Sequence, residues 1–262
     1  MKANKKALPY ADLLKEAVSK KGILSNCYSR FHRYSFANQL WAWSQASEMN
    51  ISLAPIATLK QWNALGRKVK KGASAIYLTM PVTIDVKDPI TKQKTGDVKR
   101  IFIPRKNWFF LSQTEGDEYK QEEKIAEWDK DLALKNLDIA EVPFEMADGN
   151  CQGYAEGRSI AINPVAVLPH KTRFHEIAHI VLGHTLEHKM ADSVITPRDI
   201  REVEAESVAY ILCQLLGLKG EDESRGYIQS WLKDQTISDA SAKKIFSSVD
   251  KILQSGQKDA TI

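Results

Sequence analysis

The chain has 262 residues, of which 43% are hydrophobic and 27% charged, with a formal net charge of +4. These are the proportions of a water-soluble protein with room for two modest domains. No apolar run approaches the ~18 residues of a membrane span, and the basic start Met1-Lys2-Ala3-Asn4-Lys5-Lys6 leads into no apolar segment of a secretory signal. The three cysteines, Cys27, Cys151 and Cys213, are far apart and form no CxxC pair, which argues against a cysteine-built metal site and for a reducing, cytoplasmic setting.

The small net charge hides an asymmetry. Residues 1–116 hold 20 Lys and Arg against 7 Asp and Glu, a net +13, while residues 117–262 hold 17 against 26, a net −9. The sign changes near Ser112-Gln113-Thr114-Glu115-Gly116-Asp117, where a domain boundary is expected. A basic half joined to an acidic half points to a polyanionic partner for the first.

In chain order, Tyr10 to about Lys20 carries Leu13, Leu14 and Val18 at helical spacing. A second helix is expected from Arg30 to about Met49. A short one follows, with Thr58 as its N-cap and Gly66 after its last turn. Ser74 to Val86 and Val98 to Leu111 alternate as strands around a Lys- and Gly-containing loop. The second half is expected to open with an amphipathic helix over Gln121 to Leu137. A hairpin follows, with strands around Cys151–Ala155 and Ser159–Ile162 and a turn at Glu156-Gly157-Arg158. A helix from about His170 to Leu182 stops at Gly183. Thr196-Pro197 then starts another, with Thr196 as N-cap and Asp199 three residues on, running to about Leu216 before Gly217. The tail, with Ile228, Trp231 and Leu232, reads as helical to about Gln254.

The helix before Gly183 contains His175-Glu176-Ile177-Ala178-His179. Histidines four apart share one helix face and can share a Zn²⁺ ion, and Glu176 is placed to take a proton from the attacking water of a hydrolase. Catalytic zinc needs a third protein ligand, and Glu202, Glu204 and Glu206 in the next helix compete for that role. Glu202 and Glu206 share a face, so one can bind the metal while the other supports a histidine from behind; Glu204 points to nearly the opposite side. Tyr154, His184 and His188 are candidate transition-state donors. The strand from Gly153 could take up a peptide along its edge.

In the basic half, cations interleave with aromatics in the manner of single-stranded nucleic-acid binding. The candidates are Arg30, His32, Arg33, Trp62, Arg67, Lys68, Lys70 and Lys71, with Tyr77. Trp41, Trp43, Trp108, Phe109 and Phe110 lie in apolar segments and are assigned to the core.

Two resemblances follow. His175–His179 followed by Glu202-Val203-Glu204-Ala205-Glu206 resembles the gluzincin metallopeptidases, which implies Glu202 as the third ligand, with Glu206 standing where that family has a supporting Asp. Tyr34-Ser35-Phe36-Ala37-Asn38-Gln39-Leu40, Trp62–Gly72 and Ser112–Gly116 resemble the N-terminal domain of ArdC-type antirestriction proteins. Ala205–Cys213 resembles the same family and, more loosely, the ImmA/IrrE metallopeptidases. The ArdC resemblance implies a single-stranded-DNA-binding α+β domain at 1–116 and a mainly helical, zincin-like domain with a small sheet at 117–262, carried on a plasmid or conjugative element. The expected partners are single-stranded DNA and an unidentified protein substrate. The alternatives are a DNA-coating protein with a structural or idle zinc site and a protease that cuts a repressor as ImmA-like proteins do.

Overall fold

The computed structural model describes residues 10–19, 22–120, 127–146, 150–186, 196–234 and 236–258. Over these residues the chain forms two compact units, one of residues 41–120 and one of 10–40 with 127–258. The architecture is α+β. No helix among the described residues is long and apolar enough to cross a membrane.

The first unit is built around a long hairpin. Strands β1 (Ile56–Thr58), β3 (Ile76–Lys87) and β4 (Lys94–Phe110) form an antiparallel sheet in the order β1-β4-β3, and β2 (Arg67–Val69) pairs with β5 (Thr114–Gly116). Between β1 and β2, helix α4 (Leu59–Ala64) starts at a capping box in which Thr58 Oγ1 accepts from Gln61 N and Gln61 Oε1 accepts from Thr58 N. That cap was legible in the sequence because its residues are neighbours. Trp62, Ile76, Leu78 and Phe110 are almost wholly buried, and Trp41 stacks on Tyr77 at 6.3 Å between ring centroids. The buried Gln45 amide accepts from Tyr77 N and donates to Tyr77 O, both at 2.8 Å, in place of a neighbouring strand. From Thr79 to Asn107 no residue of the hairpin is buried, so its outer part is a two-stranded ribbon.

The second unit begins with α1 (Tyr10–Ser19), α2 (Ile23–Phe31) and the start of α3 (Phe36–Glu48). Leu13, Leu14, Ala17 and Val18 of α1, and Ile23, Leu24, Cys27, Tyr28 and Phe31 of α2, are buried. The charge pattern puts these helices with residues 1–116, whereas their contacts group them with residues 127–258. Charge marks a surface, whereas these helices are placed by apolar stripes that carry no charge at all. They pack with α8 (Glu221–Asp234), α9 (Asp239–Ser255) and α7 (Arg198–Leu215). Phe36 meets Phe246 edge-on at 5.3 Å, and Gln229 Nε2 donates to Val18 O.

The remaining elements are α5 (Lys130–Leu137), β6 (Ala140–Glu141), β7 (Gly153–Glu156), β8 (Ser159–Ile162) and α6 (Pro169–Leu182). The sheet order is β6-β8-β7, with β6 parallel and β7 antiparallel to β8, which leaves β7 at an edge among the described residues. Helices α6 and α7 pack on each other, and α6 also covers β7 and β8. From Val203 to Cys213 every residue of α7 is buried, so this helix is the centre of the unit.

Three expected helix boundaries differ. The helix expected from Arg30 to Met49 begins only at Phe36. Arg30 and Phe31 end α2, a helix not expected from the sequence, the backbone turns at His32–Ser35, and a distant carboxylate, Asp250 Oδ1, accepts from Phe36 N at 2.8 Å to start α3. The helix expected from Gln121 begins only at Lys130, where Asp129 Oδ1 caps Leu132 N; Gln121 to Ala126 lie outside the described residues. Upstream of that cap, Trp128 Nε1 donates to Ile252 O and Asp129 N to Gly256 O, which ties this stretch to the end of α9. Helix α7 starts at Arg198, one residue late, with Pro197 rather than Thr196 at the cap.

Burial pushes the Asp250 carboxyl up to about 7, against the hydrogen bond from Phe36 N, which lowers it. A folded-state pKa above that of the unfolded chain means the folded protein holds the proton more tightly. The stability this group contributes is then fully present below about pH 4 and is lost as pH rises through about 7. Asp250→Asn keeps the acceptor and removes the titration. Its Tm is expected to exceed that of the wild type at pH 8, with the gap closing towards pH 4; a gap that is constant with pH would rule this account out.

Candidate metal centre

His175 and His179 lie one turn apart on α6, and Glu202 lies in the first turns of α7. Each brings one ligand atom to a cluster whose atoms all lie within 4.8 Å of one another. The two Nε2 atoms approach to 3.1 Å, and Glu202 Oε2 is 3.3 Å from His175 Nε2 and 3.7 Å from His179 Nε2. Donors bound tetrahedrally at about 2.0–2.1 Å from one ion stand about 3.3–3.4 Å apart. Two imidazoles and a carboxylate at this separation fit a divalent metal with a further position open.

The far sides of both rings also fit. A ring that offers Nε2 to a metal carries its proton on Nδ1, and that proton needs an acceptor. His175 Nδ1 lies 3.1 Å from Glu206 Oε2, whose other oxygen is 2.8 Å from Lys171 Nζ. His179 Nδ1 lies 2.9 Å from His184 Nδ1, and His184 Nε2 lies 2.9 Å from Glu204 Oε2. In the tautomers a metal requires, His175 donates to Glu206, His179 donates to His184, and His184 donates to Glu204. Every ring proton then has an acceptor, with both Nε2 lone pairs left on the same side.

The electrostatics agree. Burial disfavours a charged His175, but hydrogen bonds to Glu202 and Glu206 raise its pKa to about 9 in the metal-free protein. His175 and His179 hold the Glu202 carboxyl far below the usual carboxylate range. Burial pushes Glu206 up, and its bonds to His175, Lys171 and Ser224 bring it down to about 2. Glu176 is only 7% exposed, and its pKa is raised by burial in spite of the nearby histidines.

Glu176 borders β7. A methyl group added at Gly153 would lie 2.7 Å from Thr172 Cγ2 and 3.3 Å from Glu176 Cγ, so only glycine lets the strand run this close to the helix.

Of the residues expected at the centre from sequence, His175, Glu176, His179, Glu202 and Glu206 come together. The candidate transition-state donors fare differently. His184 is 3% exposed and spends both ring nitrogens on His179 and Glu204, so it supports a histidine. Tyr154 packs against Phe144 at 5.8 Å, and His188 lies outside the described residues. Glu204, expected to face away, is 1% exposed and belongs to the network. Sequence reasoning also missed Lys171. A signal for His184 was present: Gly183 closes α6 in the left-handed conformation (φ 89°), and the next residue is turned back so that His184 N donates to His179 O.

The expected DNA contacts divide between the units. Arg30, His32 and Arg33 lie in the second unit, and only Arg33 is fully exposed. In the first unit, Trp62 is 1% exposed and donates from Nε1 to Phe109 O, so it cannot stack on a base. Arg67 donates to Thr114 Oγ1 and to the carbonyls of Thr114, Gly116 and Asp117, which commits its guanidinium to joining β2 and β5. Lys70 donates to Ser112 O, while Lys68 and Lys71 are exposed. Trp62 and Arg67 are therefore corrected from binding to structural residues. The physical reason is the same for both: a large side chain beside a short sheet finds intramolecular partners first.

Residues 12–127 match the family model described as the N-terminal domain of anti-restriction factor ArdC. Over these residues the chain is similar to the ArdC N-terminal domain. The fold likeness extends further. Crystal structures of the antirestriction ArdC protein from plasmid R388 match at 20% identity: the metal-free form with a TM-score of 0.53 over 94% of each chain, and the Mn(II)-bound form with a TM-score of 0.55 over 95% of this chain and 98% of that one. No curated protein matches the sequence. The matched residues include α1 and α2, which pack in the unit that holds the metal centre.

The three α7 carboxylates are expected to differ in their effect on metal affinity. Glu202→Ala should abolish tight binding, whereas Glu204→Gln and Glu206→Gln should bind about 10- to 100-fold more weakly than wild type, because each removes a support and leaves all three ligands. Competition with a chromogenic chelator measures this. Equal losses in all three variants would reject Glu202 as the ligand.

Proposed function

We propose that this chain is an ArdC-type antirestriction protein of a mobile element that joins single-stranded-DNA binding to a zinc peptidase centre, acting in the cytoplasm on protein associated with incoming DNA. The observation that carries the peptidase reading is the convergence of His175, His179 and Glu202 with Glu176 beside them. Two imidazoles and one carboxylate favour zinc over manganese by intrinsic affinity, although the R388 ArdC crystal is described as Mn(II)-bound.

When bound, the metal supplies a Lewis acid that polarises a carbonyl and brings water closer to ionisation at neutral pH. The chain's own residues do the rest. His175, His179 and Glu202 hold the ion; Glu206 and the His184–Glu204 pair keep the two rings in the binding tautomer. Glu176 takes the proton of the attacking water and passes it to the leaving amine nitrogen. The free edge of β7 offers backbone groups to an extended peptide, and Gly153 brings that edge against Glu176.

The DNA-binding reading is supported by the +13 charge of residues 1–116 and by the ArdC domain match. Binding of a fluorescent oligonucleotide should weaken as salt rises, with a slope of about −0.7 for each phosphate contacted; affinity independent of salt would reject phosphate contacts. Glu176→Gln should bind metal like wild type and lose the protection given to transforming DNA in a restricting host. If that variant protects fully, peptide cleavage has no part in antirestriction.

A further inference from the structure

The residues first expected to meet DNA in the first unit are largely spent on structure, but the unit has another cationic surface. Between Ile76 and Phe110 there are seven Lys and Arg (Lys87, Lys92, Lys94, Lys99, Arg100, Arg105, Lys106) and three Asp (Asp85, Asp88, Asp97), a net +4. All three aspartates are engaged, Asp97 Oδ2 accepting from Thr95 Oγ1. Asp85 pairs with Lys94 at 2.6 Å, and Asp88 accepts from the backbone of Ile90 and Thr91 in the turn.

The register sorts the ribbon into two faces. Thr83 lies opposite Arg100, Pro81 opposite Phe102, Thr79 opposite Pro104 and Tyr77 opposite Lys106. These pairs share one face because side chains alternate along a strand. The other face carries Val82, Ile84, Ile101 and Ile103, which are only half exposed, together with the exposed cations Lys99 and Arg105. Phe102, 60% exposed, lies on the first face between Arg100 and Lys106; Lys106 Nζ also donates to Ser74 Oγ, and no ion pair among the described residues engages Arg100.

We infer that this face of the β3–β4 ribbon is a contact surface for single-stranded DNA, with Phe102 stacking on an unpaired base and Arg100 and Lys106 meeting phosphates on either side of it. The inference rests on the DNA-binding reading above and names its surface. An isolated exposed ring between cations suits a base with a free face, which a duplex does not offer. From Met80 to Lys87 the ribbon extends for about 24 Å at about 3.4 Å per residue, enough for several nucleotides to lie along it. No residue from Thr79 to Asn107 is buried, so substitutions at Arg100 and Phe102 leave the core of the unit untouched.

The test uses the full chain, fluorescein-labelled oligothymidine and fluorescence anisotropy at several salt concentrations. Phe102→Ala should weaken binding by about fivefold to hundredfold with little change in salt slope. Arg100→Gln should lower the slope by about 0.7. Thermal melts alongside identify any loss that comes from unfolding. If the wild type binds with a salt slope and both folded variants match it, the ribbon is overturned and the DNA-binding reading stands. If the wild type does not bind oligothymidine, both fall. If unlabelled duplex competes as well as the single strand, stacking on an unpaired base is overturned.

Discussion

Everything at the metal centre depends on where two protons sit. Two imidazoles can present Nε2 lone pairs to one ion only if each keeps its proton on Nδ1, and a buried N–H without an acceptor is costly. Helix α7 meets both demands, through Glu206 directly and through Glu204 by way of His184. The price is two nearly buried carboxylates, at 8% and 1% exposure. Such groups are tolerable when paired with donors, and here Glu206 meets His175 and Lys171 while Glu204 Oε2 meets His184.

This constraint explains the composition of α7. A helix buried at every residue from Val203 to Cys213 would ordinarily be apolar throughout, yet it carries Glu204 and Glu206 within that run and Glu202 just before it. The apolar residues of the run (Val203, Ala205, Val208, Ala209, Tyr210, Ile211, Leu212 and Cys213) supply the packing that fixes α7 against α6. Because the same helix forms the core and positions the ligands, metal geometry and stability are joined in one element. The N-terminal helices add to this unit. Chain segments far apart in sequence meet there, as when Asp250 of α9 starts α3 at Phe36.

The first unit follows a different logic. Its core is confined to the root of the hairpin, where Ile76, Leu78, Trp108 and Phe110 are buried with Trp62. Beyond it the ribbon has no layer to pack against, so its side chains answer to solvent and to whatever binds there. Basic residues occupy that freedom on both faces, with the exposed Phe102 on one and half-exposed Val82, Ile84, Ile101 and Ile103 on the other.

Much of the local structure was legible in the sequence. The His175–His179 spacing, the Thr58–Gln61 cap, the Gly183 stop and the β7–β8 hairpin all depend on residues within a few positions of one another, where periodicity and capping chemistry act. The identity of Glu202 as the nearest carboxylate needed the family resemblance as well, since spacing alone left it level with Glu206. What only the tertiary structure decided involves partners distant in the chain: His184 bridging to Glu204, Lys171 behind Glu206, Asp250 starting α3, α1 and α2 joining the second unit, and Trp62 and Arg67 turned inward. Helix and strand periods state which face a residue occupies. They do not state which other element meets that face, and a buried polar group is satisfied or stranded by that meeting alone.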